Sequence, residues 1–354
     1  MKSLHFLLGI TCIASLTGCV SSAQVEPNSN LDRARQTLDS LYLNYSVDNS
    51  SLLRENYPFD EQHTVTYLAS EEQANIPNQF SYLWPYSGTF SAVNALFEAT
   101  HDKKYKKLLD SRVLPGLEEY FDTQRVPNAY SSYIRTAPAS DRFYDDNVWI
   151  GLDMVDWYME TKEMRYLTQA KVVWRYLIDH GWDETCGGGV HWKELNEHTT
   201  SKHSCSTGPT AVMGCKMYQA TQEQEYLDWA IKCYDYMLDV LQDKSDHLFY
   251  DNVRPNKDDP NLPGDLEKNK YSYNSGQPLQ AACLLYKITG EQKYLDEAYA
   301  IAESCHKKWF MPYRSKELNL TFNILAPGHA WFNTIMCRGF FELYSIDNDR
   351  KYID

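Results

Sequence analysis

Apolar positions recur at helical spacing along most of the chain beyond its leader. Val148, Leu152, Val155 and Met159 follow at steps of four, three and four, and Ala281, Leu284, Leu285 and Ile288 are answered by Tyr294, Leu295, Ala298 and Ile301. Such steps put side chains on one face of a helix. Between the last two runs sits Thr289-Gly290-Glu291, where Gly suits the left-handed end of one helix and Thr or an acid can cap the next. The pattern is repeated. Phe97/Thr100/Tyr105, Tyr158/Thr161/Tyr166, Tyr218/Thr221/Tyr226, Tyr286/Thr289/Tyr294 and Tyr344/Asp347/Tyr352 share it, with steps of 61, 60, 68 and 58 residues between successive final tyrosines. A fixed period signals a stacked supersecondary unit, here a helical hairpin.

Sixty residues exceed what two helices and a tight turn need. The surplus falls in connections at about 123–145, 181–206, 243–274 and 309–330, which return the chain to the start of the next first-of-pair helix. Ser81-Tyr82-Leu83-Trp84-Pro85, Tyr144-Asp145-Asp146-Asn147, Gly187-Gly188-Gly189-Val190-His191-Trp192-Lys193, Tyr271-Ser272-Tyr273-Asn274-Ser275-Gly276-Gln277 and Pro327-Gly328-His329-Ala330-Trp331 lie at or just before those starts. Equivalent positions of stacked repeats point the same way. A site is therefore expected at one end of the array, rich in Trp, Tyr, Asn and Asp.

Composition narrows the ligand. The 354 residues carry 34 Lys+Arg against 48 Asp+Glu, a formal net charge of −14. Nucleic-acid affinity comes largely from cations on phosphates, so neither nucleic acid nor an anionic membrane surface is an expected partner. The 27 Tyr and 9 Trp suit neutral polar ligands such as sugars. No interior run approaches the roughly 18 to 20 apolar residues that span a bilayer.

The first residues read as a targeting signal. Lys2 precedes the apolar stretch Leu4 to Ala14, and Leu16-Thr17-Gly18-Cys19 resembles the lipobox of bacterial lipoproteins. The expected division is a signal peptide over 1–18, a flexible tether over 19–30 and one domain over 31–354, lipidated at Cys19 and so tied to the bacterial outer membrane on its periplasmic or cell-surface face. Besides Cys12 and Cys19 there are seven cysteines without regular spacing, neither a disulfide framework nor a zinc site. Cys186 and Cys205 fall in loops and form the pair that could bridge. Nothing in the sequence suggests a metal, nucleotide or redox cofactor, and the domain is expected to be a monomer.

Asp145 and Asp146 open the helix carried by Val148, Leu152, Val155 and Met159. One acid is sufficient to cap the helix and meet its dipole. A second adjacent acid brings like-charge repulsion, which raises one pKa and leaves one group protonated beside an ionised partner. Glycoside cleavage needs that division: an acid for the leaving oxygen and a carboxylate for the anomeric carbon. Neighbouring Cα atoms lie about 3.8 Å apart, which favours the ~5 to 5.5 Å carboxyl separation of a retaining mechanism over the wider spacing of an inverting one. Asp258-Asp259, in a loop rich in Pro, Asn and Lys, reads as a solvated pair.

Tyr144-Asp145-Asp146-Asn147-Val148-Trp149, the Gly187 to Trp192 turn, Ser204-Cys205-Ser206-Thr207-Gly208-Pro209 and Tyr273-Asn274-Ser275-Gly276-Gln277 together resemble glycoside hydrolase family 76, the endo-α-1,6-mannanases. The likeness runs from about Ser81 to the C-terminus, and the lipoprotein leader is similar to that of members from Bacteroidetes. The resemblance implies an all-α (α/α)6 toroid and retaining hydrolysis of internal α-1,6 bonds in mannan or manno-oligosaccharides, without a cofactor. It implies Asp145 as nucleophile and Asp146 as acid/base. Trp84 and Trp192 become candidate stacking walls, and Tyr144, Asn147, Tyr273, Asn274 and Gln277 candidate contacts to sugar hydroxyls. His191 and His329 read as packing or rim residues.

The chain departs from the family pattern at Ser206-Thr207-Gly208. The helix from Leu31 and the five turns count to ten helices and the start of an eleventh, so the last pair of the family ring is expected to be lacking and the flanks of the first and tenth helices bare. Two other readings stay open at this point: another (α/α)6 glycosidase or polysaccharide lyase, and a non-catalytic glycan-binding lipoprotein.

Overall fold

The computed structural model describes residues 29–65, 77–194, 201–259 and 263–353. The 1–18 leader, Cys19 and all but the last two residues of the 19–30 tether lie outside the described residues. Among those described, ten helical rods follow in order: α1 (Asn30–Tyr45); α2 (Leu83–Thr100); α3 (Lys103–Leu108), which continues through a π turn at Leu109–Val113 into α4 (Leu114–Glu118); α5 (Tyr144–Thr161); α6 (Met164–Arg175); α7 (Ser204–Thr221); α8 (Gln224–Tyr236); α9 (Ser272–Thr289); α10 (Gln292–Trp309); and α11 (Ala330–Asp347). None is long and apolar enough to cross a membrane.

The repeated turn motif has a hydrogen-bonding reason. In four turns the Thr hydroxyl (Thr100, Thr161, Thr221, Thr289) donates to the carbonyl four residues back and accepts the N–H two residues on. Asp347 accepts the same N–H in the fifth. The next residue takes the left-handed conformation in all five, at His101, Lys162, Gln222, Gly290 and Asn348, and its N–H closes on the carbonyl of the motif's first aromatic. Only one of the five is Gly, so the Thr and aromatic, not glycine, carry the signal. The final Tyr plugs the gap to the preceding unit, as where Tyr226 meets Trp174 edge-on with ring centres 5.2 Å apart.

Helices α2, α5, α7, α9 and α11 each have 18 residues and pack consecutively. α7 and α9 are buried on nearly every side, whereas α6, α8 and α10 bury one stripe and lie outside. The result is an all-α toroid with an inner and an outer layer. Trp331 of α11 reaches Gly88 of α2, where an added Cβ would lie 3.3 Å from the indole, and joins the two ends of the inner row. Polar ties link inner helices farther along: Ser91 Oγ donates to Asp153 at 2.6 Å and Lys216 pairs with Asp156 at 2.6 Å. Leu43 on the first rod is 82% exposed and Phe341 on the tenth 58% exposed.

Close contact between inner helices depends on small residues. A Cβ at Gly276 would stand 2.4 Å from the Met336 Cα, a backbone atom that no side-chain rotation can move. Gly276→Ala is therefore expected to destabilise the fold by roughly 1–3 kcal/mol. An unchanged denaturant midpoint would contradict this packing.

The return connections are not plain loops. Phe121–Asp122 pairs with Ala129–Tyr130, Gln242–Asp243 with Leu248–Phe249, and Phe310–Ser315 with Leu320–Leu325, all antiparallel. Lys202–His203, Asn252–Arg254 and Asp265–Glu267 form a three-stranded sheet. Segments packed over a core must pair their backbone groups, and short ladders do so here. The pairing of 202–203 with 252–253 fastens two connections together at the end where the inner helices begin.

Candidate active site

At that end lies a cavity of about 540 Å³. Each inner helix delivers side chains to it from its first turn or from the residues just before: Trp84 from α2, Asp145 and Asp146 from α5, Cys205 from α7, Tyr273 from α9 and Trp331 from α11. The connections add Trp192, His203, Asp251, Arg254 and Glu267. The common direction of the repeats thus collects their unusual residues in one place.

The two aspartates differ in their partners. Asp145 accepts from the Trp192 indole N–H at 3.1 Å and from the Asp146 backbone N–H at 3.0 Å, and the Cys205 thiol beside it also favours its charged form. Burial pushes its carboxyl above the usual range, and those donors pull it back. Asp146 is held well above the usual range by burial and by the charge of Asp145, with no donor among the described residues to offset them. The surroundings thus favour charge on Asp145 and a proton on Asp146, the division that a nucleophile and an acid need. His203, enclosed beside them, is pushed down to about 3 by burial and by the nearby Arg254 and His191, and stays neutral.

The model of the glycosyl hydrolase family 76 matches residues 59–348, most of the chain and all of this cavity. The chain belongs to glycosyl hydrolase family 76. A family 76 mannosidase from Bacteroides thetaiotaomicron is 72% identical, with TM-score 0.82 over 92% of this chain and 84% of that one. A family 76 glycoside hydrolase from a bovine strain of the same species is 50% identical, with TM-score 0.82 over 92% of this chain and 67% of that one. A mannan endo-1,6-α-mannosidase of Candida glabrata is 32% identical over 38% of this chain, which spans only 30% of that relative's length.

Within this family 76 cavity several expected contacts take other places. Trp84, Trp192 and Tyr273 line it. Tyr144 does not: its ring stacks on Tyr176 with centres 4.6 Å apart and its hydroxyl donates to the His180 carbonyl, so it braces the helix start from behind. Asn147 is buried and grips Tyr130, accepting its N–H and donating to its carbonyl. Asn274 is buried and donates to Asp251 at 2.9 Å, and Gln277 is buried against Gln280. None of these four lines the cavity: Tyr144 and Asn147 spend their polar groups on protein, while the Asn274 Oδ1 and Gln277 Oε1 oxygens are buried without a partner among the described residues. Cys186 and Cys205 are free thiols, so the candidate bridge is absent and Cys205 instead faces Asp145.

His191 is buried with Nε2 2.8 Å from Asp183, while His329 lines the cavity and stacks on Trp84. Asp258 is exposed and neither member of the Asp258-Asp259 pair reaches the cavity. Asp251, Arg254 and Glu267 were not singled out from sequence. They sit in the connection between α8 and α9, outside the turn motif, and the strand pairing around Asn252–Arg254 brings them to the cavity. Asp251 is raised by burial, with Asn252 and Asn274 donating to its carboxylate.

Proposed function

We propose that this protein is a retaining endo-α-1,6-mannanase acting on mannan backbones and manno-oligosaccharides. The observation that carries the reading is the adjacent pair in an aromatic cavity, one aspartate held by the Trp192 indole and a backbone N–H, the other without a donor among the described residues. The names of the Bacteroides and Candida relatives support the linkage and the sugar.

In the first step Asp145 attacks the anomeric carbon of a mannose unit while Asp146 gives its proton to the departing glycosidic oxygen. A mannosyl ester on Asp145 and one free chain end result. Water then enters, Asp146 takes its proton, the hydroxide displaces Asp145, and the product leaves with its α configuration. Each displacement inverts the centre, so two restore it. Incubation with debranched yeast α-mannan is expected to release manno-oligosaccharides of several lengths. Intact, folded protein that releases none would refute the reading.

The bell-shaped pH dependence follows from the pair. Activity needs Asp145 ionised and Asp146 protonated, so kcat/KM falls on acidification through the first group and on alkalinisation through the second. Because burial raises both, the acid limb is expected above the ~3.9 of a free Asp. No limb belongs to His203, which is neutral throughout that range. A kcat/KM profile flat down to pH 4 would contradict this.

The Leu16-Thr17-Gly18-Cys19 sequence supports lipidation at Cys19 and attachment of the monomeric enzyme to the outer membrane, facing the periplasm or the medium. Metabolic labelling with a palmitate analogue, lost on Cys19→Ala, tests it.

A further inference from the structure

Trp192 touches Asp145 with its indole N–H, while its ring is packed by protein. His203 stacks on it with ring centres 5.2 Å apart and planes 20° apart, and Phe143 lies 5.1 Å away at a tilt. A tryptophan flanked in this way is poorly placed to offer an open face to a sugar.

The segment that carries it is unusually well fastened. The Trp192 carbonyl accepts the Tyr144 N–H at 2.8 Å, and Phe143 bridges to Lys193, so this strand is tied to the very start of α5, one residue before Asp145. Behind it, buried Lys202 donates to Asp183 at 2.7 Å and to the Gly189 carbonyl at 2.8 Å, and His191 meets the same Asp183. Gly189 has φ of +87°, and a Cβ there would stand 2.4 Å from the Tyr236 ring, so the turn cannot relax into another shape around a larger residue. The Cys205 thiol, held protonated by burial, lies beside the same carboxylate.

We propose that Trp192, with the Cys205 thiol, is a positioning residue that aims the Asp145 carboxylate and keeps it the ionised member of the pair. This rests on the reading of Asp145 as nucleophile. It goes beyond that reading by naming what makes two adjacent, chemically identical acids unequal. A donor to a carboxylate favours its charged form; Asp145 has the Trp192 N–H, with the Cys205 thiol beside it, and Asp146 has neither. The other titratable groups lining the cavity are Asp146 on α5, Tyr273 on α9, and Tyr82, His203, Asp251, Arg254, Glu267, Tyr271 and His329 from the connections. Of these, Asp146 when ionised, Asp251 and Glu267 oppose a negative charge on Asp145 and Arg254 favours it, but the Trp192 N–H is the side-chain donor in direct contact with it among the described residues.

Trp192→Phe removes the N–H and keeps an aromatic ring between His203 and Phe143. In the full-length protein, with manno-oligosaccharide as substrate, kcat is expected to fall roughly tenfold, the size of a lost hydrogen bond to a charged group, with KM nearly unchanged. The acid limb of kcat/KM should move to higher pH, since the carboxylate loses stabilisation. A raised KM with unchanged kcat, or an unmoved acid limb, would overturn the assignment and return Trp192 to a sugar-stacking wall. Cys205→Ala and Cys205→Ser provide a second measurement that leaves the Trp192 strand intact. The acid limb should rise in the Ala variant and return toward the wild-type position in the Ser variant, which keeps a donor; no movement in the Ala variant would remove the thiol from the proposal. Wild-type protein that fails to cleave the substrate would instead refute the mannanase reading.

Discussion

Asp145→Asn is expected to abolish mannan cleavage, by on the order of 10⁴-fold or more, the scale of losing a covalent nucleophile. An amide of the same shape can still accept from the Trp192 N–H, so the cavity should keep its form. Stability should hold or rise, because the substitution removes a buried charge facing a second carboxyl. The Asp146 carboxyl, relieved of its charged neighbour, should titrate lower than in the parent. Replacing Asp145 by Ala and adding azide makes a sharper readout, since a small anion can enter the vacated space and attack in one displacement. The product should be the β-mannosyl azide. Full activity in the Asn variant, with an unaltered melting curve, would remove Asp145 from the nucleophile role.

Asp146→Ala should behave differently in kind. Loss of a general acid costs typically 10²–10⁴-fold when the leaving group is a sugar hydroxyl. With an activated leaving group such as dinitrophenol no proton is required, and formation of the mannosyl ester should proceed nearly as in the parent. Hydrolysis of that ester still lacks its base, so the intermediate should accumulate as a burst. Azide should then speed turnover and yield the α-mannosyl azide, the opposite configuration from the Asp145 variant. A variant that loses the activated and natural substrates equally would assign Asp146 to something other than proton transfer. Together the two azide products separate the roles of neighbours that differ only in their surroundings.

Those surroundings explain why part of the site was legible in the sequence and part was not. The five turns could be read because each depends on local hydrogen bonds among residues close in the chain: Thr to the carbonyl four back, and the left-handed residue to the aromatic four before it. The aspartate pair was legible because adjacency itself creates the electrostatic problem. The direction of the site followed from the repeats, since every inner helix begins at the same end.

What escaped depends on contacts between connections. Asp251 and Arg254 come inward because Asn252–Arg254 is paired with both Lys202–His203 and Asp265–Glu267, and no local pattern announces that register. Asn147, Asn274 and Gln277 fall behind the cavity lining for a related reason. A polar side chain in the first turns of a buried helix faces either the cavity or a neighbouring backbone, and sequence alone does not choose. In Asn147 the choice went to Tyr130, whose N–H and carbonyl would otherwise be unpaired in the interior. Tyr144 shows the limit most clearly: it precedes Asp145 directly, yet helical geometry turns it outward onto Tyr176 and His180.

The most direct test of the two-aspartate account is the configuration of the product at the moment it forms. Proton NMR during hydrolysis of an α-1,6-manno-oligosaccharide, recorded before mutarotation, should show the α-anomer first, with the β-anomer growing in later. The β-anomer first would mean a single displacement by water and would contradict a covalent role for Asp145.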